Sequence, residues 1–138
     1  MSKKAIPVAG VVIIRNDEVL LVHDLEGSQN KLGRSGLPAG RVEKDETNEE
    51  AAARELLEET GLIAEKLKEL PEKYVAELER KSGKKVLMSW IVYLGLKYSG
   101  KLKSSKESKP EWVKIDDLQN LHLRPNTENA INQALNNL

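Results

Sequence analysis

Residues 7–14, PVAGVVII, are almost uninterruptedly apolar, and residues 19–22, VLLV, repeat the pattern beyond the polar Asn16-Asp17 pair. Two such runs across a short polar break predict a β-hairpin. A strand without alternation has both faces covered, so the first run is expected inside a sheet sandwiched between helices. Farther along, Val86, Met88, Trp90, Val92, Leu94 and Leu96 recur at every second position, which predicts a strand with one core face. With residues 73–80 and the turn Lys81-Ser82-Gly83-Lys84 it forms a long hairpin. Trp90 and Tyr93 then point opposite ways; either can stack on a base, though packing is the commoner use. Residues 63–70 fit neither period, and Pro71 is expected to end whatever they form. After Pro125, Ala130, Ile131, Ala134, Leu135 and Leu138 return at helical spacing and predict a last helix covering the sheet.

One stretch is loaded with charge that folding alone does not explain. It is residues 40–62, GRVEKDETNEEAAARELLEETGL. Thr47 and Glu50 form a capping box, the Ala, Glu, Leu and Arg residues that follow favour helix, and Gly61 supplies a left-handed stop. Roughly 13 residues, about 20 Å of helix at 1.5 Å per residue, lie between these signals. Ala52, Ala53, Leu56 and Leu57 are expected on the packed face, with Glu55, Glu58 and Glu59 opposite. Like charges at that spacing repel by about 0.2–0.5 kcal/mol per pair, and anions in the last turn face the negative end of the helix dipole. A bound cation reverses both signs. Oxygen donors without sulfur suit Mg²⁺ or Mn²⁺, while a solvated acidic face is the plainer alternative for the same residues.

Composition narrows the class. The 138 residues fit a single domain spanning 1–138, with no cysteine for disulfides, zinc–thiolate sites or thiol nucleophiles. Lys plus Arg and Asp plus Glu each number 22, so no global field attracts long nucleic acid, and a small phosphorylated substrate fits better. The apolar runs are too short to span a membrane, and a cytoplasmic location is expected. Residues 24–36 read as a polar, glycine-rich loop that suits the lining of a substrate site, with Arg34 as its candidate contact, or equally an ordinary mobile connection. Residues 97–109 carry five lysines and one acid, Glu107, and read equally well as a solvated loop. His23 and His122 lack ligand spacing and are read as structural.

Gly40, Glu46, Arg54, Glu55, Leu56, Glu58, Glu59, Gly61 and Leu62 match, at every position, the pattern G-x5-E-x7-R-E-U-x-E-E-x-G-U, with U aliphatic. This resembles the Nudix box. The resemblance implies an α/β fold, a Nudix-type α/β/α sandwich with a mixed β-sheet. It also implies a divalent-metal-dependent pyrophosphohydrolase that cuts a nucleoside diphosphate from another group. Carried over by position, Glu58 and Glu59 bind metal, Glu55 binds metal or takes the water's proton, and Arg54 and Glu46 fix the carboxylates. Leu37-Pro38-Ala39-Gly40 resembles the segment entering the box, where the family more often has Gly-Gly after an aromatic. Ala39 keeps the carbonyl expected to ligate metal. Glu107, before Trp112, resembles a further metal-binding glutamate, with Glu111 as its competitor, and Lys106 beside it is a candidate phosphate contact. Tyr93 is the candidate base-stacking residue. The segment after Trp112, Asp116-Asp117-Leu118, resembles a helix start common in the family.

Substrate signatures are thinner. Pro71 and Tyr74 come too early for the marks of ADP-ribose and dinucleoside polyphosphate subfamilies, and the coenzyme A and NADH signatures are absent. A nucleoside triphosphate or modified nucleotide leads by elimination, with ADP-ribose or another nucleotide sugar as the alternative. An isopentenyl diphosphate isomerase on the same fold needs a cysteine this chain lacks. A non-catalytic nucleotide-sensing module would commonly lose box carboxylates that are all present. Dimers are frequent in the family, which leaves a homodimer open.

Overall fold

A computed structural model of the chain describes residues 4–25 and 34–138. Eight strands are present among the described residues: β1 (Ile6–Val12), β2 (Ile14–Arg15), β3 (Glu18–Asp24), β4 (Ser35–Gly36), β5 (Ala39–Arg41), β6 (Leu62–Glu79), β7 (Lys85–Gly100) and β8 (Ser108–Lys114). Helix α1 (Asn48–Thr60) follows β5, a 3-10 helix (Ile115–Asn120) follows β8, and α2 (Thr127–Leu135) comes last. The strands make a mixed sheet in the order β5-β1-β7-β6, with β1 and β7 parallel, and a smaller antiparallel sheet of β2, β3, β4 and β8. The architecture is the expected α/β arrangement with a mixed sheet.

The first two apolar runs pair differently from the expected hairpin. Only the tip closes, through Ile14 opposite Val19 and Arg15 opposite Glu18, while β1 takes β5 and β7 as neighbours. Ile13 is the crossing point, where its carbonyl still accepts from Leu20 N–H at 3.0 Å. The reason lies in the uninterrupted apolar run: Ala9, Val11 and Ile13 pack toward α1 with Ala51, Ala52 and Leu56, while Val12 faces the α2 side. A strand buried on both faces needs hydrogen-bonded partners on both edges, and a simple hairpin provides one.

On the α2 side, Val92 and Leu94 meet Ala130, Ile131 and Ala134. Val86, Met88, Trp90, Val92 and Leu94 are buried as their spacing predicts, whereas Leu96 is 45% exposed. Leu135 and Leu138 are likewise exposed, so the packed face of the last helix is narrower than expected. The helix start at residues 116–118 is a turn of 3-10 helix rather than α-helix.

Pro71 does not end a segment. Residues 63–70 belong to β6, which runs on to Glu79, and Pro71 sits in the register shift between the pairs Glu69–Tyr93 and Lys73–Ile91. As an edge strand, β6 tolerates a residue without an N–H at such a bulge. The Arg80 N–H donates to Lys84 O at 2.8 Å and the Gly83 N–H to Arg80 O at 2.9 Å, closing the expected turn before β7.

Helix α1 is built as its sequence states. Thr47 Oγ1 accepts from Glu50 N–H at 3.1 Å, Glu50 Oε1 accepts from Thr47 N–H at 2.9 Å, and Gly61 closes the helix at φ 85. The buried face is rotated relative to expectation, to Ala51, Ala52, Leu56 and Thr60, leaving Leu57 50% exposed. Burying Leu56 completely is worth about 2 kcal/mol and fixes the helix roll. That roll turns Glu55 and Glu59 inward, toward β5.

Candidate active site on helix α1

Arg54 organises the helix surface. Its Nε and Nη2 donate to the two carboxylate oxygens of Glu46 at 2.7 and 3.0 Å, a forked pair across the turn that precedes the helix. Nη2 also donates to Arg41 O at 2.9 Å, and Nη1 reaches Glu55 Oε1 at 2.7 Å and Glu58 Oε2 at 3.3 Å. The Arg54 hydrogen bond, followed by the Glu43 N–H, holds the Glu46 carboxyl down to about 2. Glu46 in return drives the Arg54 guanidinium further toward its charged form. A fork of this kind orients both partners as well as neutralising them.

The inward carboxylates behave oppositely. Burial raises Glu55, against the lowering pull of Arg54. Glu59 is pushed up to about 8, chiefly by burial, while the charge of Arg124 and the Ala39 N–H, which donates to Glu59 Oε1 at 3.1 Å, oppose the rise. Glu55 and Asp24 add repulsion. Two carboxyls that folding makes reluctant to ionise stand beside one, Glu46, that folding keeps ionised, a separation that makes this cluster the candidate functional site.

Arg124 and Asp24 complete the inner wall. Arg124 Nη2 donates to Asp24 Oδ1 at 2.5 Å and Nε to Oδ2 at 3.3 Å, with both residues buried. These two residues, 100 positions apart, carried no signal in the sequence. Neither belongs to the box, and an Asp at a strand end and an Arg before Pro125 are unremarkable alone. Among the described residues, no three acidic or histidine side chains already close around one point. The point shared by Glu55 and Glu58 is instead held by the Arg54 Nη1 cation.

Comparison with known proteins shows the family. The NUDIX domain family matches residues 4–134. The chain belongs to the Nudix hydrolase family. A Nudix relative, the 8-oxo-dGTP diphosphatase of Haemophilus influenzae, is 33% identical over 138 residues, covering 99% of this chain and 96% of that protein. The 8-oxo-dGDP phosphatase NUDT18 of Homo sapiens is 39% identical over 106 residues, 75% of this chain, and the chain spans only 29% of that protein's length. Among solved structures, the MutT NUDIX hydrolase from Burkholderia pseudomallei superposes with a TM-score of 0.77 at 27% identity, covering 95% of this chain and 98% of that one.

Not every expected Nudix site residue gathers at α1. Tyr93 is a correction: it is 4% exposed, it belongs to the core cluster that holds Leu56 and Leu62, and its Oη donates to Glu69 at 3.1 Å, so it cannot stack on a base. Glu111 turns away. Its carboxylate meets His23 Nε2 at 3.0 Å, on the strand face opposite the one where Ser108 Oγ donates to Glu59 O at 3.4 Å. Glu107 and Lys106 are exposed on the loop before β8, where Glu107 O accepts from Leu25 N–H at 2.9 Å. Arg34 lies beside Asp24, whose N–H donates to Arg34 O at 3.0 Å, and its buried Nε has no hydrogen-bond partner among the described residues. The rest of the expected substrate loop, residues 26–33, lies outside the described residues. His23 is also held by Ser35 Oγ at 2.6 Å on its other nitrogen.

Gly40 shows why the box needs a glycine there. A Cβ on Gly40 would stand 2.1 Å from Glu55 Cδ and 2.4 Å from both carboxylate oxygens. Because Glu55 is the flexible end of a side chain, Gly40→Ala is expected to fold with a thermal midpoint close to the parent. It should nonetheless lower kcat/KM about a hundredfold, the scale of misplacing a reacting group by an ångström. Paired melting and turnover measurements check both halves; full activity would show that Glu55 need not stand where Gly40 allows it.

Proposed function

We propose that this chain hydrolyses a phosphoanhydride bond of an oxidised purine nucleoside triphosphate, using Mg²⁺ or Mn²⁺. The observation that carries the reading is the gathering of Glu55, Glu58 and Glu59 on one helix, aligned by Arg54 and backed by the Ala39–Gly40 backbone. The substrate class is supported by the names of relatives that act on 8-oxo-dGTP and 8-oxo-dGDP.

The donor set fits a hard divalent ion. It is oxygen throughout, and one nitrogen cation already sits between two of the carboxylates, so the local field favours positive charge. Glu58 and Glu59, with the Ala39 carbonyl and Glu107 from the facing loop, would hold it. When bound, the ion supplies charge neutralisation of the phosphates and activation of the attacking water. Glu55, raised by burial, takes the water's proton. Glu46 holds Arg54, and Arg54 in turn aligns Glu55 and Glu58, so Glu46 and Arg54 are positioning residues. Arg34 and Lys106 are the proposed contacts to phosphate oxygens, Lys106 as a mobile point charge.

The test is a pyrophosphate-release and phosphate-release screen with each metal over 8-oxo-dGTP, unmodified nucleoside triphosphates, the corresponding diphosphates, ADP-ribose and nucleotide sugars. An oxidised triphosphate should give the highest kcat/KM, and no activity should survive EDTA. A preference for ADP-ribose or a sugar nucleotide would overturn the substrate, and metal-independent turnover would overturn the site.

A further inference from the structure

The C-terminal end of α1 borders a hollow. It is about 380 Å³, lined by Leu57, Glu58, Gly61, Lys101, Lys103, Ser104 and Ser105. We propose that this groove seats the terminal phosphate of a triphosphate chain, with Lys101 and Lys103 as the residues that favour triphosphate over diphosphate. The inference rests on the hydrolase reading above and deepens it.

Three features argue for an anion seat. First, the lysines are placed, not merely present. Leu102 packs into the core cluster of α1, which turns Lys101 and Lys103 outward on either side of it. The segment is pinned to the helix end by Lys103 N–H donating to Thr60 O at 2.8 Å, and a Cβ on Gly61 would lie 2.6 Å from Lys101 O. Neither lysine has an ion-pair partner among the described residues.

Second, a helix C-terminus normally repels anions through its free carbonyls, and here three of the last four, on Leu57, Glu59 and Thr60, accept hydrogen bonds. Leu56 O accepts from Thr60 Oγ1, Leu57 O from Gly61 N–H, Glu59 O from Ser108 Oγ and Thr60 O from Lys103 N–H. Third, the groove's single carboxylate, Glu58, already contacts Arg54 and is a proposed metal ligand, so the two ammonium groups dominate once a cation is held there. A polyphosphate bound through Glu58 therefore has a positively charged, serine-edged continuation directly beside it. A diphosphate is too short to use both.

The experiment compares the parent with Lys101→Ala/Lys103→Ala, and with Lys66→Ala/Lys68→Ala on exposed β6 as a control of equal charge change. Calorimetric titration with inorganic tripolyphosphate and with pyrophosphate, each in Mg²⁺, reads the groove without turnover. Loss of two charged phosphate contacts should weaken tripolyphosphate binding at least about tenfold, and pyrophosphate binding much less. The ratio of kcat/KM for a nucleoside triphosphate over its diphosphate should fall by a similar factor, through KM. Equal weakening of both anions, no weakening, or the same loss in the β6 control would overturn the proposal. Should the parent hydrolyse no nucleotide at all, the hydrolase reading fails, and the tripolyphosphate titration still decides the groove.

Discussion

Glu59→Gln lowers turnover of the preferred nucleotide by about two to three orders of magnitude, the scale on which removing one charged group from a transition-state site acts. The substitution keeps the shape and the acceptor for the Ala39 N–H, and removes only the ability to carry a negative charge. In metal-free buffer the same variant melts higher than the parent, chiefly because no charge has to be buried at this position, with relief of repulsion from Glu55 and Asp24 a smaller part. Glu58→Gln should lose comparable activity without that gain, since its side chain is 57% exposed and already offset by Arg54. Steady-state kinetics beside melting curves in EDTA separate the two. Near-parental kcat in either variant would count heavily against metal binding at this helix.

Metal-free protein should lose stability as pH rises from about 4.5 toward 8. Glu59 has its folded value at about 8 against an unfolded value near 4.5, so between these limits the folded state binds the proton more tightly. Stability present below the lower value is lost through that window, on the order of a few kcal/mol. Glu55, also raised by burial, acts in the same direction. Glu46 acts oppositely: folded at about 2, it contributes stability above 4.5 that disappears as pH falls toward 2. The melting temperature in EDTA should therefore peak near the ordinary carboxylate range and slope down on both sides. Added Mg²⁺ should flatten the alkaline slope, and Glu59→Gln should flatten it without metal. A parent whose melting temperature in EDTA stays level from pH 5 to 8 would contradict the burial of this charge.

What was legible in the chain was local. The capping box of Thr47 and Glu50 and the Gly61 stop act within one or two helical turns, and both are found as read. Burial on both faces of β1 was also legible, because an unbroken apolar run leaves no face for water. Its pairing was not, since register with β5 and β7 depends on residues 29 to 82 positions away. The roll of α1 escaped for a similar reason. Ala51 and Leu57 are both credible on a packed face, and only contact with the sheet decides that Ala51 is buried and Leu57 exposed. Tyr93 was assigned to a site because alternation put it opposite Trp90; the helix packed on that side makes both faces of β7 interior. The Asp24–Arg124 pair, which sets the field around Glu59, joins elements that only folding brings together.

The bulge at Pro71 also bears on how copies of this molecule meet. An 18-residue border strand offers a long row of open amides and carbonyls, the kind of rim along which identical chains zip into aggregates. Here the row is interrupted by a residue that cannot donate and is studded with Glu65, Lys66, Lys68, Glu72 and Lys73. Neighbouring molecules therefore find no continuous ladder to extend along this rim.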